Sequence, residues 1–114
     1  SVKINEMKVF TISNRCFSEI GKHFVKFIKF HNVEKLILTA HYISYDELCA
    51  FLRSISDTVI SIHIRTVCFD CKMGHHRCWM LATLIADFSR NGTLKSVKIM
   101  EERRSLVNFG QENE

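Results

Sequence analysis

Apolar residues follow one pattern that returns at a fixed interval along this chain. Each copy has apolar residues at its first, fourth, sixth and eleventh positions, and three successive copies start 26 residues apart. Their members are Met7, Phe10, Ile12 and Phe17, then Val33, Leu36, Leu38 and Ile43, then Val59, Ile62, Ile64 and Phe69. A partial fourth copy, at Leu94, Val97 and Ile99, follows after 35 residues. Such self-similarity indicates a repeat architecture, in which each unit buries its core against the next.

Within each copy the spacing of apolar residues changes from a strand period to a helix period. Alternating apolar residues predict strands, and the stripes at i, i+3, i+4 and i+7 that follow them predict amphipathic helices. We predict strands at about residues 8–13, 34–39, 59–65 and 95–100, and helices at about 17–30, 45–55 and 78–89. A helical crossover brings the next strand back parallel and is right-handed. We therefore expect an α/β fold, a short repeat-like stack with a four-stranded mainly parallel sheet and helices on one face.

Local signals predict where the helices begin and end. Ser44 and Glu47 have the spacing of a capping box at the start of the second helix. The pair His31-Asn32 is expected to end the first helix, and Asn91-Gly92 to end the third as a left-handed cap. Each helical stripe also carries one bulky residue that we expect to be buried under the sheet in an equivalent place, namely Phe24, Phe51 and Phe88.

Length and composition are those of one folded domain. The chain has 114 residues, of which 46% are hydrophobic and 25% charged, as is typical of globular domains. No apolar run approaches the ~20 residues that a membrane-spanning helix needs. We interpret residues 1–114 as a single repeat domain with units at about 7–32, 33–58, 59–93 and 94–109 and a polar tail at 110–114.

The strand pattern over about residues 7–100 resembles leucine-rich repeats of the long, helix-containing kind seen in ribonuclease inhibitor and in F-box substrate receptors. The segment 42–52 also resembles the associated domains of nematode F-box proteins. This resemblance implies a protein-interaction module that serves as the substrate-recognition part of a larger protein. The chain departs from the family where asparagine or cysteine usually bonds the turn backbone, because Arg15, His41 and Val67 occupy that position.

The sheet face away from the helices is the expected binding surface. Strand residues that alternate with the core positions point to this face, and its central row is predicted to be Thr11, Ile37, His63 and Lys98. Aliphatic and cationic side chains in one patch suit a protein or peptide partner. We expect the partner-binding residues to be Ile37, His63, Arg65 and Lys98. The outer strands near residues 7–13 and 96–100 would present edges for pairing with another chain.

A cysteine-rich segment is an alternative site. Cys68, Cys71, His75 and Cys78 have ligand types that zinc prefers, although their spacing is tight for one metal. The simpler interpretation is an ordinary loop with partly buried thiols, so no cofactor is the favoured expectation. The odd number of cysteines, five, indicates reduced thiols and hence a cytoplasmic or nuclear protein.

A basic stripe on the first predicted helix is the other alternative. Lys22, Lys26 and Lys29 are spaced along one helix face, with His23 beside them. Nucleic acid or an acidic partner would suit this stripe. A solvated outer face is the preferred interpretation, because the apolar stripe lies directly opposite and lysines without interleaved arginine, glycine or aromatics are a weak nucleic-acid signal. No glycine-rich phosphate loop, nucleophile elbow or zinc-protease motif occurs, so we expect neither an enzyme nor a small-molecule substrate.

Overall fold

The computed structural model describes residues 2–4, 9–70 and 76–110 of the chain. The strands are β1 (Val2–Ile4), β2 (Val9–Cys16), β3 (Lys35–Ser44), β4 (Ser61–Asp70), β5 (Ser96–Glu101) and β6 (Arg104–Phe109). The helices are α1 (Ser18–Phe30), α2 (Tyr45–Ile55) and α3 (His76–Asn91).

The sheet confirms the predicted fold class and the order of the predicted strands. In the described part of the chain the strands form one sheet in the order β1-β2-β3-β4-β5-β6. The four predicted strands, β2 to β5, pair parallel and in sequence order, with a helix in each crossover. The fold is therefore α/β, with the helices on one face of a mainly parallel sheet.

Both ends of this parallel sheet are extended by strands that the repeat pattern does not predict. β1 pairs antiparallel with β2, and β6 pairs antiparallel with β5. The expectation that the strands near residues 7–13 and 96–100 present free edges is therefore wrong, because the chain covers both with its own backbone. The outermost backbone in the described sheet belongs to the short β1 and to β6.

The repeated apolar positions form the core. Every described side chain of the pattern, from Phe17 to Ile99, is at most 7% exposed. The side chains of Met7, Phe10 and Ile12 lie outside the described residues. The spacing thus selects residues that lie between the sheet and the helices, where burying one aliphatic side chain stabilises the fold by about 1.5–3 kcal/mol.

Two of the predicted helix ends have the expected geometry. The backbone N–H of Glu47 donates to Ser44 Oγ at 3.3 Å, so Ser44 caps α2. His31 is the C-cap of α1, and the next residue, Asn32, has a left-handed φ of 51°. Asparagine tolerates this conformation better than most residues, which explains its position after the helix.

The end of α3 is correctly placed, but the predicted left-handed cap at Asn91-Gly92 is wrong. Gly92 does not have a positive φ. Glycine is needed there for close approach, because a Cβ would lie 2.5 Å from the carbonyl oxygen of Ser56. The N–H and hydroxyl of Thr93 both donate to that same carbonyl, at 2.9 and 3.2 Å, and hold the two loops together.

The three phenylalanines predicted to be equivalent differ in burial. Phe51 is 3% exposed and packs edge-on against Phe17, with ring centroids 5.1 Å apart. Phe24 and Phe88 are only partly buried, so the expectation is wrong for these two. The reason is position, since α2 contacts both α1 and α3 whereas each outer helix has one helical neighbour.

Candidate functional site: the open face of the sheet

The face of the sheet away from the helices, called the open face here, brings the predicted row together. Parallel pairing aligns Thr11 with Ile37, Ile37 with His63, and His63 with Lys98. The predicted alignment of this row is confirmed. A second row is Ser13, Thr39, Arg65 and Met100, and a third is Val9, Lys35, Ser61 and Ser96.

The predicted binding residues are not equally accessible. Arg65 is exposed, Ile37 and Lys98 are half-buried, and His63 is 7% exposed. His63 lies on β4 between Ile37 and Lys98, so neighbouring strands cover it on both sides. The side chain of His63 is therefore buried within the open face, whereas Arg65, in the next row, is exposed to solvent.

Two serines on the open face are buried as well. Ser61 and Ser96 are 6% and 8% exposed, and the Ser96 hydroxyl donates to Ser61 Oγ at 3.1 Å. Their short side chains lie beside Lys35 in the same row. Alternation in the sequence identifies which residues point to this face, but it does not show which of them are buried and which are exposed.

The strand ladders skip one position at the same place in successive pairs. The skipped residues are Arg15, His41 and Val67, where leucine-rich repeats usually have asparagine or cysteine. The polar group that bonds the strand backbone around this skipped position is the hydroxyl of Thr66, which is 5% exposed. Its hydroxyl lies 3.2 Å from the carbonyl oxygen of His41 and 3.1 Å from that of Cys68. The signal that sequence reasoning missed is a threonine in phase with the core residues of β4.

Beyond this skipped position, β3 and β4 continue to the carboxyl end of the sheet. There the Tyr42 hydroxyl donates to Asp70 Oδ2 at 2.6 Å. This hydrogen bond, together with desolvation and the charge of the Asp70 carboxylate, raises the pKa of Tyr42 to about 12. Tyr42 therefore remains a neutral donor throughout the physiological pH range, and its hydroxyl stays hydrogen-bonded to one oxygen of the Asp70 carboxylate.

The other strand carboxylate at this end also has partners. Glu101 Oε2 accepts from the backbone N–H of Phe69 at 2.8 Å, and Glu101 Oε1 accepts from Arg104 Nη2 at 2.7 Å. The pair with Arg104 lies across the turn between β5 and β6. Glu101 thus ties three strands together at their ends and does not extend onto the open face.

The cysteine-rich segment is described only in part. Cys68 lies on β4 and is an exposed free thiol. Cys71 and His75 lie outside the described residues, and Cys78 belongs to α3 but its side chain is not described. Among the residues that the structure does describe, no group of three potential ligands surrounds a common point.

The basic stripe lies on the outer side of α1. His23, Lys26 and Lys29 are exposed, and Lys29 Nζ lies 3.6 Å from Asp57 Oδ1. The side chain of Lys22 is outside the described part. A carboxylate from the loop after α2 therefore offsets one of these charges. Within the described helices, none is long and apolar enough to cross a membrane.

Comparison of the chain with models of protein families, with curated proteins and with solved structures gives no match.

Proposed function

We propose that this protein is a non-enzymatic interaction module that binds a protein or peptide partner through the open face. The observation that carries the proposal is the register, which aligns Ile37, His63 and Lys98 across three strands on a face that no described helix covers. Arg65 extends the same surface in the next row. The role as the substrate-recognition part of a larger protein rests on the resemblance to leucine-rich repeats, which the parallel order of β2 to β5 supports.

Pre-organisation favours this face as a binding surface. The backbone of each strand is fixed by hydrogen bonds on both sides, so its side chains lose little conformational entropy when a partner binds. Binding at this face therefore needs no prior ordering of backbone.

The size of the face favours a peptide over a folded domain. Six strands about 4.8 Å apart span roughly 24 Å. The three rows occupy five residues along each strand, such as 35–39 on β3, and these span about 17 Å. The resulting flat area, about 400 Å², is half of the roughly 800 Å² that each partner contributes to a standard interface. A short segment of a partner protein is the ligand that such an area accommodates.

Two cysteines bear on the compartment in which this binding would take place. Cys49 is a buried free thiol and Cys68 an exposed one. Exposed free thiols persist where the environment is reducing, which supports a cytoplasmic or nuclear protein.

Charge reversal on the open face tests the proposal. Partners would be captured by cross-linking in the native source, identified, and titrated against the wild type and the Arg65→Glu/Lys98→Glu variant. We expect the variant to weaken binding by more than about 1 kcal/mol, because two complementary charges become repulsive. The matched control is Lys26→Glu/Arg53→Glu, which makes the same charge change at exposed positions of α1 and α2.

Circular dichroism of both variants would establish that the fold is intact. The proposal fails if the open-face variant binds like the control. It also fails if substitution of Cys71 and His75 abolishes binding while the open-face variant has no effect, since the cysteine-rich segment would then be the site.

A further inference from the structure

The charges in the three rows of the open face all have one sign. In the described strands β2 to β5, its three rows contain Lys35, Arg65 and Lys98 and no aspartate or glutamate. Arg65 is exposed and the two lysines are half-buried. A partner that covers these three rows therefore meets positive charge only.

The two carboxylates of the described strands form hydrogen bonds at the ends of the strands. Asp70 and Glu101 lie at the carboxyl ends of β4 and β5. Asp70 accepts the Tyr42 hydroxyl, and Glu101 accepts from Phe69 and Arg104. Neither belongs to the three rows of the open face, so these rows place no carboxylate beside Arg65 and Lys98.

The cations are spaced in a way that an extended peptide can match. Lys35 and Arg65 lie on adjacent strands and four residue positions apart along the sheet, which is about 13 Å at 3.3 Å per residue. Arg65 and Lys98 also lie on adjacent strands but two positions apart, at roughly 8 Å. In an extended chain, side chains on one face recur every two residues, or about 6.8 Å. Acidic residues two or four positions apart therefore come opposite these cations, with Ile37 available for an apolar residue between them.

The three rows lack what single-stranded nucleic acid requires. Binding of unpaired bases depends on aromatic side chains on which the bases stack, in addition to positive charge. The three rows contain no phenylalanine, tyrosine or tryptophan, and the imidazole of His63 is buried. The positive charge of the open face is therefore suited to carboxylates more than to a polynucleotide.

We propose that the partner segment is an acidic peptide in extended conformation, whose carboxylates pair with Arg65 and Lys98. This inference rests on the proposed function, because it names the chemistry of the ligand that the open face binds. It requires the acidic residues to lie on one side of the extended peptide, at alternate positions.

Selection from a random peptide-display library tests the inference on the full chain. The library would be selected separately on the wild type, on Arg65→Glu/Lys98→Glu, and on the control Lys26→Glu/Arg53→Glu. We expect peptides from the wild type and the control to be enriched in aspartate and glutamate at alternate positions. Their synthetic versions should bind the open-face variant about tenfold more weakly, and the difference should shrink at high salt.

The outcomes separate the two proposals. Peptides that lose affinity for the open-face variant but show no acidic enrichment would overturn the acidic ligand and leave the proposed function standing. A selection that yields no peptide sensitive to the open-face variant would overturn both. A single-stranded oligonucleotide that displaces the selected peptides with equal affinity would also overturn the acidic-peptide inference, because the face would then bind any polyanion.

Discussion

Replacing Phe51 with alanine is the sharpest test of how this fold is held together. Phe51 is 3% exposed and lies on the central helix α2, with its ring edge-on to Phe17 at 5.1 Å. Removing a buried phenylalanine ring costs about 3–5 kcal/mol, from the lost transfer free energy and from the cavity that remains. The aromatic pair accounts for roughly 0.5–1.5 kcal/mol of this loss.

This loss is large compared with the whole stability of the chain. At about 0.05–0.15 kcal/mol per residue, 114 residues give a free energy of unfolding of roughly 6–17 kcal/mol. Phe51→Ala is therefore expected to remove between about a fifth and four fifths of it. Urea unfolding followed by far-ultraviolet circular dichroism measures the change, which should appear as a lower midpoint with an unchanged slope.

Phe30→Ala is the matched control, since it makes the same substitution on another helix. Phe30 lies at the end of α1 and is 81% exposed. Its replacement should change the free energy of unfolding by no more than about 0.5 kcal/mol. Equal losses for the two variants, or no loss for Phe51→Ala, would refute the placement of Phe51 in the core.

Two further predictions concern polar groups near the carboxyl end of the sheet. Thr66→Val should lower the free energy of urea unfolding by about 1–2 kcal/mol, because it removes the buried hydroxyl that bonds the strand carbonyls of His41 and Cys68. Thr39→Val, at an exposed position, should lower it little, and equal losses would contradict the role of the Thr66 hydroxyl. The second prediction concerns the hydrogen bond between Tyr42 and Asp70, which raises the pKa of Tyr42, so that folding favours the protonated phenol. The stability that this hydrogen bond contributes is complete below the unfolded pKa of 10.0 and is lost as the pH rises through about 12. In a Tyr45→Phe background, where Tyr42 is the remaining tyrosine, Asp70→Asn should move the tyrosinate absorbance titration toward lower pH, and an unchanged titration would argue against the hydrogen bond.

The parallel part of the fold could be predicted because its period is long and regular. A 26-residue spacing leaves room for one strand and one helix, and parallel pairing follows from that connection. The same spacing sets the register, since it places Ile37 beside Thr11 and His63 beside Ile37. The pattern therefore predicted which residues share a row.

The edge strands could not be predicted in this way because they lie outside the repeat. β6 follows β5 through the two-residue turn Glu102-Arg103, where Glu102 has a left-handed φ of 55°. Such turns usually contain asparagine or glycine, so the sequence lacks the ordinary hairpin signal. This turn contains neither asparagine nor glycine, and the ion pair between Glu101 and Arg104 across it helps to stabilise its conformation.

Burial on the open face was equally hidden from the sequence, since it depends on neighbours from other strands. His63 and Arg65 are two residues apart on β4 and point to the same face, yet one is buried and the other exposed. The register places half-buried Ile37 and Lys98 on either side of His63, whereas exposed Thr39 lies on one side of Arg65. Only the assembled sheet shows this difference.

The contrast between the two faces bears on function. On the helix side the described repeated positions, from Phe17 to Ile99, are all leucine, isoleucine, valine or phenylalanine, because they lie in the core. On the open face one row reads Thr11, Ile37, His63 and Lys98, so the fold places no common demand on those positions. Like charges near one another on a sheet destabilise it, so stability does not account for Arg65 and Lys98 on adjacent strands without a carboxylate among the rows. The proposed acidic ligand would account for them, and this proposal predicts that the Arg65→Glu/Lys98→Glu variant will fold as well as the wild type while binding its partner about tenfold more weakly.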